Sequence, residues 1–150
     1  SENMVVSANI LRDTIFFVKD FLSWNITDPI SNRPANEQFV MTSYPQRPVT
    51  YPLITVKDLN TDSRMTLGFQ SEAAQVNLQI EIRIWANNIK QKDTIADEIF
   101  DKMRLNQIGI TGTSQANALH DLRLLNSVNV DEPDGPKSKV MTYQMLFIAE

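Results

Sequence analysis

The sequence predicts an α+β fold. A mainly antiparallel sheet carries two packed helices, in the order helix, three to four strands, helix, two strands. Three patterns carry that expectation. From Ala74 to Ala86 every second residue is apolar, through Val76, Leu78, Ile80, Ile82 and Ile84, while Gln75, Asn77, Gln79, Glu81 and Arg83 fill the gaps. Side chains alternate faces along a strand, so one face is greasy and the other wet. Two stretches, Ser7–Leu22 and Ile89–Leu105, instead repeat at helical spacing. A hairpin signal, Asp134-Gly135, separates two strand-like runs near the end.

A chain of 150 residues is enough for one domain with a real core, and residues 1–150 are read as a single domain. A net charge of −4 argues against a sequence-independent grip on nucleic acid and against a polybasic membrane contact. Without cysteine there is no disulfide, no thiolate nucleophile and no cysteine-ligated zinc. No apolar run approaches the roughly 18 residues of a membrane span. Ser1-Glu2-Asn3-Met4 lacks the basic start of a secretion signal.

In chain order, Leu11, Ile15, Val18 and Leu22 give the first helix its stripe, widened by Ile10, Phe17 and Phe21, with Ser7 as N-cap. Trp24–Glu37 is a long loop, since Pro29 and Pro34 forbid a continuing helix. Gln38–Ser43 is a first strand and Thr50–Lys57 a second, with Pro52 near its start. Asp58–Ser63 is predicted as the connecting turn. Arg64–Gln70 is a third strand, with Met65, Leu67 and Phe69 on one face, and the long strand follows. Asn88 caps the second helix, with Gln91 completing a capping box. Its stripe is Ile95, Ile99 and Met103, flanked by Ala96 and Phe100, and Lys102 and Arg104 sit in the last turn. Gln107–Ala118 reads as a loop. Leu119–Val130 and Lys139–Ala149 form the closing hairpin. Met141, Tyr143, Met145 and Phe147 line one face of the last strand, and Val140, Leu146 and Ile148 the other. A strand apolar on both faces needs cover on both sides, and one helix layer supplies only one.

Motifs for chemistry are sparse. His120 is the lone histidine, and its neighbour Asp121 points to the opposite face of a strand, so the pair makes no dyad. Asp58-Leu59-Asn60-Thr61-Asp62 begins like a calcium loop, but Ser63 replaces the glycine and Phe69 the bidentate glutamate; an acidic turn explains it better. Asp97 and Asp101 lie one turn apart on the solvated side of the second helix. No catalytic, cofactor-binding or metal site is assigned, and the chain is expected not to be an enzyme.

The punctuation of the layout carries one likeness. Tyr51-Pro52-Leu53-Ile54-Thr55-Val56 precedes a long alternating strand ending in Ile84-Trp85, and a helix reading IADEIFDKM, Ile95–Met103, follows at once. This resembles the tail-terminator, or tail-completion, proteins of long-tailed phages and related viruses, from the first helix to the last strand. The resemblance implies a viral structural protein: a homo-oligomeric ring, commonly hexameric, on the head-proximal end of the tail tube. Its implied partners are its own copies, the tail tube protein and the neck or head connector protein. DNA would pass through the lumen without specific binding, which an acidic chain suits. The implied place is the virion tail, after assembly in the host cytoplasm, with no membrane and no cofactor. A neck or head-closure protein is the near alternative.

Candidate contact residues follow. Met141, Tyr143, Met145 and Phe147 form one row, in competition with plain core packing. Met65, Phe69 and Trp85 extend it, and Asp28, Arg33, Thr111 and Thr113 lie in the two loops, 25–37 and 107–118, expected to order on assembly. Two other readings compete. A ligand-binding or enzymatic α+β domain would gather Asp58, Asp62, Arg64, Glu81 and Arg83 in a pocket. An adaptor domain would pair a sheet edge with a partner strand, with Pro45 and Pro52 guarding that edge.

Overall fold

The computed structural model describes residues 10–46, 48–65, 74–105, 109–110 and 119–149, with side-chain environments for 14–46, 48–61, 76–105 and 121–146. Helix α1 spans Ile10–Asn25 and α2 Ile89–Leu105. The strands are β1 (Val40–Met41), β2 (Leu53–Met65), β3 (Ala74–Ala86), β4 (Gly109–Ile110), β5 (Leu119–Asp131) and β6 (Lys137–Ala149). They form one sheet in the order β1-β2-β3-β6-β5-β4, antiparallel except for the short β1–β2 pairing. The α+β class and the order of elements are those the sequence predicts.

The alternation of β3 sorts its faces as expected. Leu78, Ile80, Ile82 and Ile84 are buried almost completely. Each contributes about 1.5–3 kcal/mol on removal from water. Met141, Tyr143 and Met145 of β6 continue that face, and Ile54 and Val56 of β2 complete it on the other side. Phe17, Val18 and Leu22 of α1 join Ile95, Ala96, Ile99 and Met103 of α2 in the same core cluster. Both helices therefore sit on one face of the sheet, α1 over β1 and β2 and α2 over β3 and β6.

Several boundaries differ. Helix α1 runs to Asn25, whose side chain donates back to the Phe21 carbonyl, so Trp24 is helical and largely exposed rather than in a loop. The first strand shrinks to Val40–Met41. Asp58–Ser63 is no turn: β2 continues to Met65, so Arg64 and Met65 end that strand instead of opening a third. Its ladder against β3 is unbroken apart from a bulge between Asp58 and Asn60. Gly109–Ile110 pair with Leu119–His120 inside the predicted loop. Phe100 is exposed, and Lys92 takes the place on the buried stripe. Asn88 caps α2, its Oδ1 accepting the Gln91 amide at 2.8 Å, but Gln91 Oε1 finds no partner, so the box is half made. Ser7 lies outside the described residues.

Candidate assembly surface

The sheet has a second face. On β2 it carries Leu53, Thr55 and Lys57, on β3 Gln79, Glu81, Arg83 and Trp85, on β6 Val140, Thr142 and Gln144, and on β5 Asn126, Val128 and Val130. Register links them into lateral rows: Thr55–Arg83–Val140–Val128, then Lys57–Glu81–Thr142–Asn126. Neither helix packs on this face, and it grades from apolar at the Trp85 end to neutral amides at the Gln79 end.

Aromatics cover the apolar end in part. The Tyr44 ring centroid lies 4.7 Å from that of Trp85, and the Arg83 guanidinium lies over the indole at 3.9 Å. Trp85 Nε1 donates to Thr55 Oγ1, and Arg83 donates to Ser138 Oγ. Tyr44 and Tyr51 share a hydroxyl hydrogen bond; burial first, and that bond second, push the Tyr51 phenol up to about 12. On the β5 side Val128 and Val130 stay 50% and 41% exposed, which is high for a strand residue facing a sheet neighbour.

The loop after α1 is held by Arg33. Its guanidinium donates twice to the Asp28 carboxylate, at 2.8 and 2.9 Å, and once each to the carbonyls of Thr50 and Pro52. The Arg33 hydrogen bonds hold the Asp28 carboxyl below its ordinary range. The bond to Pro52 fixes the residue before Leu53, where β2 begins.

A second tie holds the hairpin. Lys92, 1% exposed, donates to both oxygens of Asp131 at 2.9 and 3.0 Å, and Lys139 pairs with Asp93 at 2.9 Å. The Lys92 bonds depress the Asp131 carboxyl. Lys92 stands three residues before Ile95, which places it on the buried side of α2.

The predicted contact residues divide. Met141, Tyr143 and Met145 are not a surface row: they are 2%, 2% and 0% exposed, covered by the helices of their own chain. Phe147 follows them in register beside Val76, and Met65 closes β2 opposite Ala74. Trp85 is on the open face. Asp28 and Arg33 are spent on each other and on the backbone. Phe69, Thr111 and Thr113 lie outside the described residues. Of the charges proposed for a ligand site, those described do not converge: Glu81 pairs with Lys57 at 3.7 Å, Arg83 stacks on Trp85, and Asp58 is exposed, while the side chains of Asp62 and Arg64 lie outside the described ones. Among the described residues no three acidic or histidine side chains gather as a metal would need, and no helix is long and apolar enough to cross a membrane. The strand edges are not legible in the sequence, whose pattern ends the second strand at Lys57 where β2 runs on to Met65. Compared with known proteins, the chain matches no family model and no curated sequence.

Proposed function

We propose that the chain is a structural subunit that closes into a ring on the head-proximal end of a viral tail tube, stops tube growth there and joins tail to head. The observation that carries this reading is the sheet itself. Four thirteen-residue strands are clad by helices on one side only. Among the described residues, aromatics cover only one end of the other face, and β1 and β4 pair only two residues each of the outer long strands, so the rest is free to meet neighbours. The resemblance in layout to tail-terminator proteins supplies the role, and the excess of acidic over basic residues suits a passage that must release DNA. Copies related by rotation present different patches to each other, and such contacts close when the rotation divides a full turn.

The test is tube length. Polymerising tail tube protein in the presence of this chain is expected to give short tubes with one decorated end, seen in negative stain. Tubes of unchanged length with bare ends contradict the reading. Decoration of isolated head connectors but not of tubes would instead favour a neck or head-closure role for the same ring.

A further inference from the structure

We infer that copies of this chain join head to tail through the bare edge of β2 on one copy and the bare edge of β5 on the next, in a fixed register. This rests on the ring reading above and adds which strands make the joint. Within a copy β2, β3, β6 and β5 alternate in direction, each antiparallel to its neighbour. Four is even, so the two outer long strands run opposite ways. Rotation about a common axis keeps every copy the same way up. The β2 of one copy therefore meets the β5 of the next as an antiparallel pair.

The short strands define the window. β1 holds β2 only at Ile54 and Thr55, and β4 holds β5 only at Leu119 and His120. Among the described residues that leaves Lys57 to Met65 without a strand partner on one side and Asp121 to Asp131 on the other.

The bulges define the register. β2 carries one extra residue, Leu59, between Asp58 and Asn60; β5 carries two, one between His120 and Arg123 at the β4 end of the window, and Leu125 between Leu124 and Asn126. Both leucines are exposed, at 45% and 42%. Setting Asp58 opposite Ser127 and Thr61 opposite Leu124 puts bulge against bulge and makes the two leucines neighbours. It keeps helix-side residues facing helix-side residues above and below the bulge. It also sets Asp62 opposite Arg123; Arg123 now pairs with Asp121 at 2.9 Å in an exposed contact that is readily exchanged. A slip of one residue would turn one face against the other. Pairing β5 with β5, Leu124 opposite Ser127, would also set bulge against bulge, but that pair closes at a dimer and leaves the β2 edge unpaired, an outcome that cross-linking separates.

Bulges and charges on an edge ordinarily block pairing with stray strands. Here the Leu59 and Leu125 bulges fall in adjacent lateral rows, so along this stretch each edge rejects a regular strand and accepts the other, while the second bulge of β5 ends the matched stretch near Arg123. Ser127 shares a row with Val56 inside one copy and would face Asp58 across the joint. That two-residue offset tilts the strands against the ring axis, as closed sheets require.

The chain has no cysteine, so a disulfide reports the joint directly. This register sets Lys57 opposite Val128, both on the open face. Mild oxidation of the Lys57→Cys, Val128→Cys variant is expected to give a ladder of linked multimers. Lys57→Cys with Ser127→Cys, whose side chains face opposite ways, is expected to give at least tenfold less. A ladder that stops at dimer overturns the head-to-tail joint. Multimers by light scattering with no ladder from the first variant overturn this joint and leave the ring reading standing. A strict monomer, alone and with tail tube, overturns both.

Discussion

Arg33 shows how much one side chain can organise. Its planar fork meets a carboxylate and two carbonyls at once, and 7% of the side chain remains exposed. Arg33→Ala leaves Asp28 and two carbonyls without their donor and is expected to cost about 2–4 kcal/mol in urea unfolding. Arg33→Lys should recover little of it, because an ammonium cannot span the same acceptors; full recovery would show that charge alone matters there. Tyr143 is the opposite case. Its ring fills the core, but its hydroxyl has no hydrogen-bond partner among the described residues and burial drives the phenol upward. Tyr143→Phe removes an unsatisfied buried group and is expected to raise stability by about 1 kcal/mol. A loss of that size would reveal a partner for the hydroxyl. In alkaline titration Tyr51 should ionise late, near pH 12, and Tyr143 only with unfolding. Both folded-state values are raised, so these phenols leave stability unchanged below about pH 10, and their ionisation favours unfolding above it. Tyrosinate absorbance against pH checks this.

At the scale of elements, the tie between α2 and the hairpin makes a pH prediction. Asp131 and Asp28 are both held below the ordinary carboxylate value of 3.8. Depressed carboxyls stabilise the fold above their unfolded value, and that stability is lost as pH falls through the folded one. The chain should therefore lose stability progressively below about pH 4, and Asp131→Asn should flatten that slope while destabilising the fold near neutrality. A slope unchanged by the substitution, read from urea midpoints against pH, contradicts the tie. The same elements show what was legible. β3 and α2 could be read to the residue, because each has an unbroken period and a clear end: Ala86 to Asn87-Asn88, then an N-cap. β2 could not. Beyond Val56 its helix-side positions are Asp58, Thr61 and Ser63, so the apolar alternation that marks a strand is gone and the local residues favour a turn. The ladder from β3 overrides them, a tertiary effect no local window contains. The face of β6 was legible as apolar, but its owner was not. Met141, Tyr143 and Met145 look the same in sequence whether a helix or another copy covers them; here it is the helices.

For the whole molecule, the open face and the bare edges replace the β6 row as the reason to expect assembly. Three of the six exposed large aliphatics among the described residues, Leu125, Val128 and Val130, lie on β5; Leu59 is on β2, and Ile89 and Leu105 are at the two ends of α2. Charge there should matter more than in the core: Val128→Asp is expected to leave the urea midpoint of the monomer within about 0.5 kcal/mol yet reduce multimer formation at least tenfold. Loss of fold instead would place Val128 in a core the structure does not show. The central claim, that copies close into a ring, is most directly met by light scattering of the purified chain over a wide concentration range, alone and with tail tube. The account predicts one discrete multimeric mass, held constant over concentration once formed, on its own or nucleated by tube. A mass that stays at one 17.1 kDa chain under both conditions contradicts it.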